Sequence, residues 1–137
     1  MTVELILCET CRPSGPPGAE GEPRPGALLA EKVREAFAAD PELSAVRLST
    51  IRCLMSCKRA CAVHVRGPGR MGYVLGDLPA DESSVETLTA YLRAYLRTGD
   101  GQVPFREWPS GVRGRFVARI PPLPQPLPQP LPPPSSL

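Results

Sequence analysis

Five cysteines in two clusters constrain this chain more than any other feature of its sequence. Cys8 and Cys11 form a C-x2-C pair near the start, and Cys53, Cys57 and Cys61 form a C-x3-C-x3-C run in the middle. Four of these thiolates could bind one metal centre, with one sulfur left over. The fold must therefore be one that brings two segments distant in sequence to the same place.

Length and charge set the broad class of the protein. The chain has 137 residues and a formal net charge of +2, which favours one domain and gives no reason to expect nucleic-acid binding. Residues 2–7 lack the basic start of a secretion signal, and no apolar stretch approaches the roughly 20 residues that cross a bilayer. We therefore expect a cytoplasmic protein without membrane contact, where clustered cysteines bind metals or react more often than they form disulfides.

The hydrophobic pattern predicts the element order β-α-β-β-β-α, which is the thioredoxin-like arrangement of an α/β sandwich with a mixed sheet. The turn Gly67-Pro68-Gly69 should join the third and fourth strands into an antiparallel hairpin. A possible capping box, Ser83 with Glu86, is expected to start the second helix. Strands are predicted at residues 3–7, 46–51, 61–66 and 71–76, and helices at 26–39 and 83–97.

The first strand, helix and second strand should form a parallel βαβ unit. Both cysteine clusters would then follow the carboxyl ends of adjacent parallel strands, at the edge where open α/β sheets place ligands. This order predicts that the two clusters meet in space.

The C-terminal part of the chain is predicted to lie outside this pattern. Residues 102–120 are expected to pack on the domain as an extended arm, through Trp108 and Phe116. Residues 121–137 repeat Pro-Gln-Pro-Leu without charge, which is typical of an exposed, disordered polyproline segment. We therefore predict one domain at 1–120 and a proline-rich tail at 121–137, with a PxxP docking peptide as the alternative role of the tail.

Three kinds of chemistry are open to the cysteines. A structural zinc site usually pairs two C-x2-C motifs, and the x3 spacing of the second cluster is less typical of zinc. Thiol–disulfide exchange by Cys8 and Cys11 would need activation at a helix N-terminus, from which the Pro/Gly-rich loop at 12–25 should separate them. A [2Fe–2S] cluster would use both cysteine groups at a low, ferredoxin-like potential.

Basic residues accompany the second cluster. Lys58 and Arg59 are candidates for contact with the cofactor, where they would offset the negative charge of the centre; a solvated loop is the alternative. Together with Arg66 and Arg70 they are expected to crowd one rim and favour an acidic redox partner. His64, the single histidine, is expected to be structural.

Four segments of the chain resemble the DUF1636 family of predicted metal-binding proteins, over about residues 3–122. They are Cys-Glu-Thr-Cys-Arg at 8–12, the run at 53–61, Gly-Tyr-Val-Leu-Gly-Asp-Leu at 72–78 and Ala-Arg-Ile-Pro-Pro at 118–122. The family belongs with the thioredoxin-like [2Fe–2S] ferredoxins. Cys53-Leu54-x-x-Cys57 is also similar to the second cluster-binding loop of the 24-kDa-type subunit of respiratory complex I.

The resemblance implies a small electron carrier without an enzyme activity of its own. Its [2Fe–2S] cluster would be held by Cys8, Cys11, Cys53 and Cys57, with Cys61 as a fifth, alternative ligand or as a buried residue at the start of a strand. The resemblance also implies a link to cobalamin or other metal-cofactor metabolism, and related ferredoxins are often homodimers. A zinc or cobalt carrier or sensor, and a thiol–disulfide oxidoreductase, remain the alternatives.

Overall fold

The computed structural model describes residues 2–11 and 24–123. Within them, five strands form one mixed sheet in the order β2-β1-β3-β4-β5, with two α-helices packed on it. The strands are β1 Glu4–Cys8, β2 Arg47–Ile51, β3 Val63–Arg66, β4 Gly72–Leu75 and β5 Phe116–Ile120, and the helices are α1 Pro25–Ala38 and α2 Glu82–Arg97.

The predicted order β-α-β-β-β-α is confirmed, and each of these six elements starts and ends within about two residues of its expected place. The predicted capping box is wrong. Asp81, not Ser83, caps α2: its carboxylate accepts a hydrogen bond from the Ser83 backbone N–H at 2.9 Å. An aspartate at this position satisfies one of the free N–H groups of the first turn.

The expectation of a simple C-terminal arm is also incomplete, because its last part is a strand. β5 runs antiparallel to β4, pairing Phe116 with Leu75 and Ile120 with Gly72. As an edge strand it is mostly exposed after Phe116, so its sequence lacks the strong alternation that marks a half-buried strand. Of the predicted tail at 121–137, the part after Leu123 lies outside the described residues, and the tail stays a prediction.

Strand β1 lies inside the sheet and fixes the position of both cysteine clusters. It pairs in parallel with β2, so that Cys8 is opposite Ile51, and antiparallel with β3. The buried side chains of the sheet join those of the helices in one core, in which Leu5, Val33 and Leu92 are among the fully buried residues. Within the described residues, neither helix has the length and apolar composition needed to cross a membrane.

Candidate metal centre

The first cysteine pair lies at the carboxyl end of β1. Cys8 is the last residue of that strand, and its backbone N–H donates to the Ala62 carbonyl at 3.1 Å. A turn follows, in which the Cys11 N–H donates to the Cys8 carbonyl at 3.4 Å. The Ala62 N–H in turn donates to the Cys11 sulfur at 3.4 Å. Both thiols are buried, with 2% of Cys8 and 3% of Cys11 exposed.

The N-terminal end of α1 packs directly on this turn. The Gly26 N–H donates to the Cys11 carbonyl at 3.0 Å. A Cβ atom at Gly26 would overlap the Cys8 carbonyl oxygen and lie 3.2 Å from the Cys11 Cβ, so only glycine allows this approach. The expectation that the loop at 12–25 separates Cys11 from the helix is therefore wrong, because separation along the chain is not separation in space.

The second cysteine pair lies in the loop after β2. The sulfurs of Cys53 and Cys57 are 3.9 Å apart, and Cys57 starts a single 3-10 turn that ends at Arg59. The Met55 N–H donates to the Cys53 sulfur at 3.2 Å. Met55 itself has a positive φ of 58°, and 89% of it is exposed. This pair is more accessible than the first, since Cys57 is exposed and Cys53 half-buried.

The two loops touch one another. The Cys8 thiol donates to the Arg52 carbonyl at 3.7 Å, and the Thr10 hydroxyl donates to the same oxygen. Both loops therefore lie at the same edge of the sheet, as the parallel pairing of β1 and β2 predicted. Within residues 2–11 and 24–123, however, no three His, Cys, Asp or Glu side chains surround one point as a single metal ion would require. The ligand set stays a prediction.

The thiols of the first pair differ in acidity. Burial raises the pKa of Cys11 to about 12, and the neighbouring Cys8 adds to this rise. Burial also raises the pKa of Cys8, but hydrogen bonds from Cys11 and from the Leu54 backbone outweigh it, so that its pKa lies below the usual value. Cys8 is therefore the first of the two to carry charge.

Charge on Cys8 also affects thiols beyond its own pair. The pKa of Cys57 is raised by its hydrogen bond to Cys53 and by charge on Cys53, with a further contribution from charge on Cys8. Burial raises the pKa of Cys61 to about 11, and charge on Cys8 adds to it. Cys8 is thus electrostatically connected to thiols of both loops.

Cys61 is packed inside the core. Its exposed fraction is 1%, and its N–H and carbonyl exchange two 3.2 Å hydrogen bonds with the backbone of Leu78. The residue precedes β3, which fits the role of a small apolar side chain that free cysteine often has. Its role as a fifth ligand stays a prediction.

Lys58 and Arg59 face different surroundings. Lys58 is exposed. The Arg59 guanidinium points to Asp77 at 2.7 Å and donates to the carbonyls of Phe116 at 3.2 Å and Gly114 at 2.7 Å. The sequence pattern did not indicate a role for Asp77, although this residue lies in the segment 72–78 that resembles the family.

Arg66 and Arg70 lie at the other end of β3, away from the cysteines. Arg66 pairs with Glu4 at 2.8 Å. Arg70 donates to the carbonyls of Tyr95 at 2.8 Å and Thr98 at 2.6 Å. The expectation that these two arginines share one rim with Lys58 and Arg59 is wrong, because β3 carries the chain from the cysteine edge to the opposite edge of the sheet.

The fold and the cysteine edge define a thioredoxin-like α/β protein with two thiol pairs beyond the carboxyl ends of adjacent strands. The family model described as "Protein of unknown function (DUF1636)" matches residues 5–122. The chain therefore belongs to the DUF1636 family, and the expectation drawn from its four segments is confirmed.

Solved structures of a thioredoxin-like [2Fe–2S] ferredoxin from Aquifex aeolicus have a similar fold. One is 16% identical with a TM-score of 0.53, covering 86% of this chain and 92% of that one. A second, of the wild-type ferredoxin, is 17% identical with a TM-score of 0.53, covering 85% and 97%. A comparison with curated proteins gives no match.

Proposed function

We propose that this protein binds one [2Fe–2S] cluster through Cys8, Cys11, Cys53 and Cys57 and carries single electrons. The observation that carries the proposal is the 3.9 Å separation of the Cys53 and Cys57 sulfurs. Sulfurs bound tetrahedrally to a metal at about 2.3 Å lie about 3.8 Å from one another. This pair is therefore spaced to bind one metal ion.

The arrangement of the thiols supports a binuclear centre over zinc. A structural zinc ion draws four ligands to one point, whereas each iron of a [2Fe–2S] cluster held by four cysteines takes two protein sulfurs. Two thiol pairs on loops that touch one another therefore suit a [2Fe–2S] cluster better than a zinc ion. The ferredoxin fold of the Aquifex aeolicus protein agrees with it.

Hydrogen-bond donors of this chain would affect the reduction potential of such a centre. When bound, the cluster supplies a one-electron redox couple. Backbone N–H groups point at two of the sulfurs, from Ala62 to Cys11 and from Met55 to Cys53. Such hydrogen bonds stabilise charge on sulfur and favour the reduced, more negative state.

The exposed second loop is the proposed place of electron exchange. Ile51 and Met55 expose apolar side chains there, 43% and 89% of each residue, and Arg52 and Lys58 are exposed beside them. We propose a redox partner whose docking face is acidic around an apolar recess, which would complement both features. A homodimer and a link to cobalamin or metal-cofactor metabolism stay predictions from the family resemblance.

One observation favours a second candidate, thiol–disulfide exchange by Cys8 and Cys11. The helix N-terminus at Gly26 contacts their turn, and helix N-termini lower the pKa of nearby thiols. Against it, both thiols are almost fully buried, which denies a disulfide substrate access to either sulfur.

Purification without oxygen tests the proposal. A red-brown protein with about two iron and two sulfide ions per chain is expected. A colourless protein that contains zinc or cobalt would contradict it in favour of a metal carrier or sensor. A colourless, metal-free protein that reduces disulfides would support the exchange reaction instead.

A further inference from the structure

We infer that Arg59 and Asp77 are positioning residues that hold the second cysteine loop in its metal-binding shape. This inference rests on the proposed function, because it concerns the loop that carries Cys53 and Cys57. We call the Arg59–Asp77 pair, with the two carbonyls that Arg59 also binds, the loop clamp.

The side chain of Arg59 uses three of its nitrogens on three different partners. Its Nε donates to the Asp77 carboxylate at 2.7 Å, its Nη1 to the Phe116 carbonyl at 3.2 Å and its Nη2 to the Gly114 carbonyl at 2.7 Å. Only the planar fork of an arginine can reach all three, since lysine offers one point charge. The clamp therefore ties the turn that begins at Cys57 to the start of β5 and to the end of β4.

The backbone on the other side is shaped around Arg59. The Asp77 N–H donates to the Arg59 carbonyl at 2.6 Å. A Cβ atom at Gly76 would lie 2.6 Å from that same oxygen and 2.8 Å from the Arg59 Cβ, so glycine is required there. Asp77 has a φ of 57°, a conformation that aspartate tolerates better than most residues. Within the segment 72–78, Gly76 and Asp77 therefore have the role of accommodating Arg59.

The clamp also changes the role expected of Arg59. A charge paired with Asp77 and hydrogen-bonded to two carbonyls is largely neutralised, so it offsets little charge at the cysteines. Its effect reaches the sulfurs through the geometry of the loop. A loop held in place needs less rearrangement when metal binds or leaves, which is the purpose of residues that orient metal ligands.

Proteolysis of the full-length protein tests the clamp independently of any metal. Asp77→Asn keeps the backbone conformation and removes the charge, and Arg59→Lys keeps the charge and removes the fork. Both variants should be cut by trypsin after Lys58 about tenfold faster than the wild type, the change expected when a charged hydrogen bond is lost. The control is Glu31→Gln, which breaks an exposed pair with Arg34 within α1 and no contact of the clamp, and which should leave this rate unchanged.

The rate of iron release from the loaded protein distinguishes an effect of loop geometry from an effect of charge. Transfer of iron to a chelator should be about tenfold faster in Arg59→Lys, and its visible spectrum should shift. Arg34→Gln, which removes an exposed positive charge of α1 and no clamp contact, should release iron at the wild-type rate. Wild-type proteolysis and iron release in Arg59→Lys would overturn the inference. If no variant or wild type binds iron, the proposed function fails while the proteolysis rates still decide the clamp.

Discussion

Because glycine has no side chain, Gly26 allows α1 to approach the first cysteine pair closely. Gly26→Ala should destabilise the fold by roughly 1–3 kcal/mol, because the added Cβ overlaps the Cys8 carbonyl and pushes the helix from the turn. Denaturant unfolding measures this change. Gly99→Ala is the matched control, since a Cβ atom there has no neighbour within 4 Å. Equal stability of the two variants would contradict the close approach.

Cys53 and Cys61 differ in what each sulfur contributes. Cys53→Ser should abolish cluster binding, because it removes one sulfur of the 3.9 Å pair. Cys61→Ser should largely keep the cluster, since this thiol is packed in the core. Iron and sulfide content and the visible spectrum of the two variants provide the measurement. Full iron loading of the Cys53 variant would refute the ligand assignment, and loss of iron in the Cys61 variant would make Cys61 a ligand.

The two helices are joined by a carboxylate that follows α1. Asp40 accepts a hydrogen bond from the Glu42 N–H at 2.9 Å and forms an ion pair with Arg93 of α2. Burial opposes ionisation of Asp40, but the Glu42 and Arg93 interactions outweigh it, so that its pKa lies below the ordinary 3.8. A carboxyl whose pKa is lower in the folded than in the unfolded state stabilises the fold at pH values above its unfolded-state pKa. This stabilisation is lost as the pH falls through the folded-state pKa.

This linkage predicts the pH dependence of one variant. Asp40→Asn should be less stable than the wild type at pH 7, and the difference should shrink as the pH falls below about 4. Unfolding midpoints measured from pH 7 to pH 2 check the trend. Glu31→Gln removes an exposed pair within α1 and should show no comparable difference at pH 7. A stability difference for Asp40→Asn that does not change with pH would contradict the assignment.

The elements were predictable to different degrees. The two helices and the three inner strands β1, β3 and β4 carry buried apolar residues, and the order of these elements and of β2 followed from the sequence. β5 was missed as a strand because it is exposed after Phe116 and its sequence lacks a strong apolar–polar alternation. The contact of Arg59 with Asp77 had no signal in spacing, because it depends on a left-handed residue and on carbonyls that only β5 brings into place.

At the scale of the whole molecule, metal binding and folding should be coupled. Ligands that bind the folded chain raise its stability by mass action. Removal of iron by a chelator should therefore lower the Tm of the loaded protein in a thermal scan. The Cys53→Ser variant is the control, and its Tm should not respond to the chelator. An unchanged Tm in the wild type would show that the metal centre contributes nothing to the stability of the fold.

The place of β1 inside the sheet has a consequence for how the protein is made. Its last residue, Cys8, leaves the ribosome early, but β1 pairs with β2 on one side and with β3 on the other. The edge that gathers the sulfurs is therefore complete only after Arg66 has emerged, since non-local strand pairing must wait for the later strand. For the proposed cluster, iron delivered to the nascent chain before that point would meet scattered thiols, so the proposal requires that delivery follow translation of this segment.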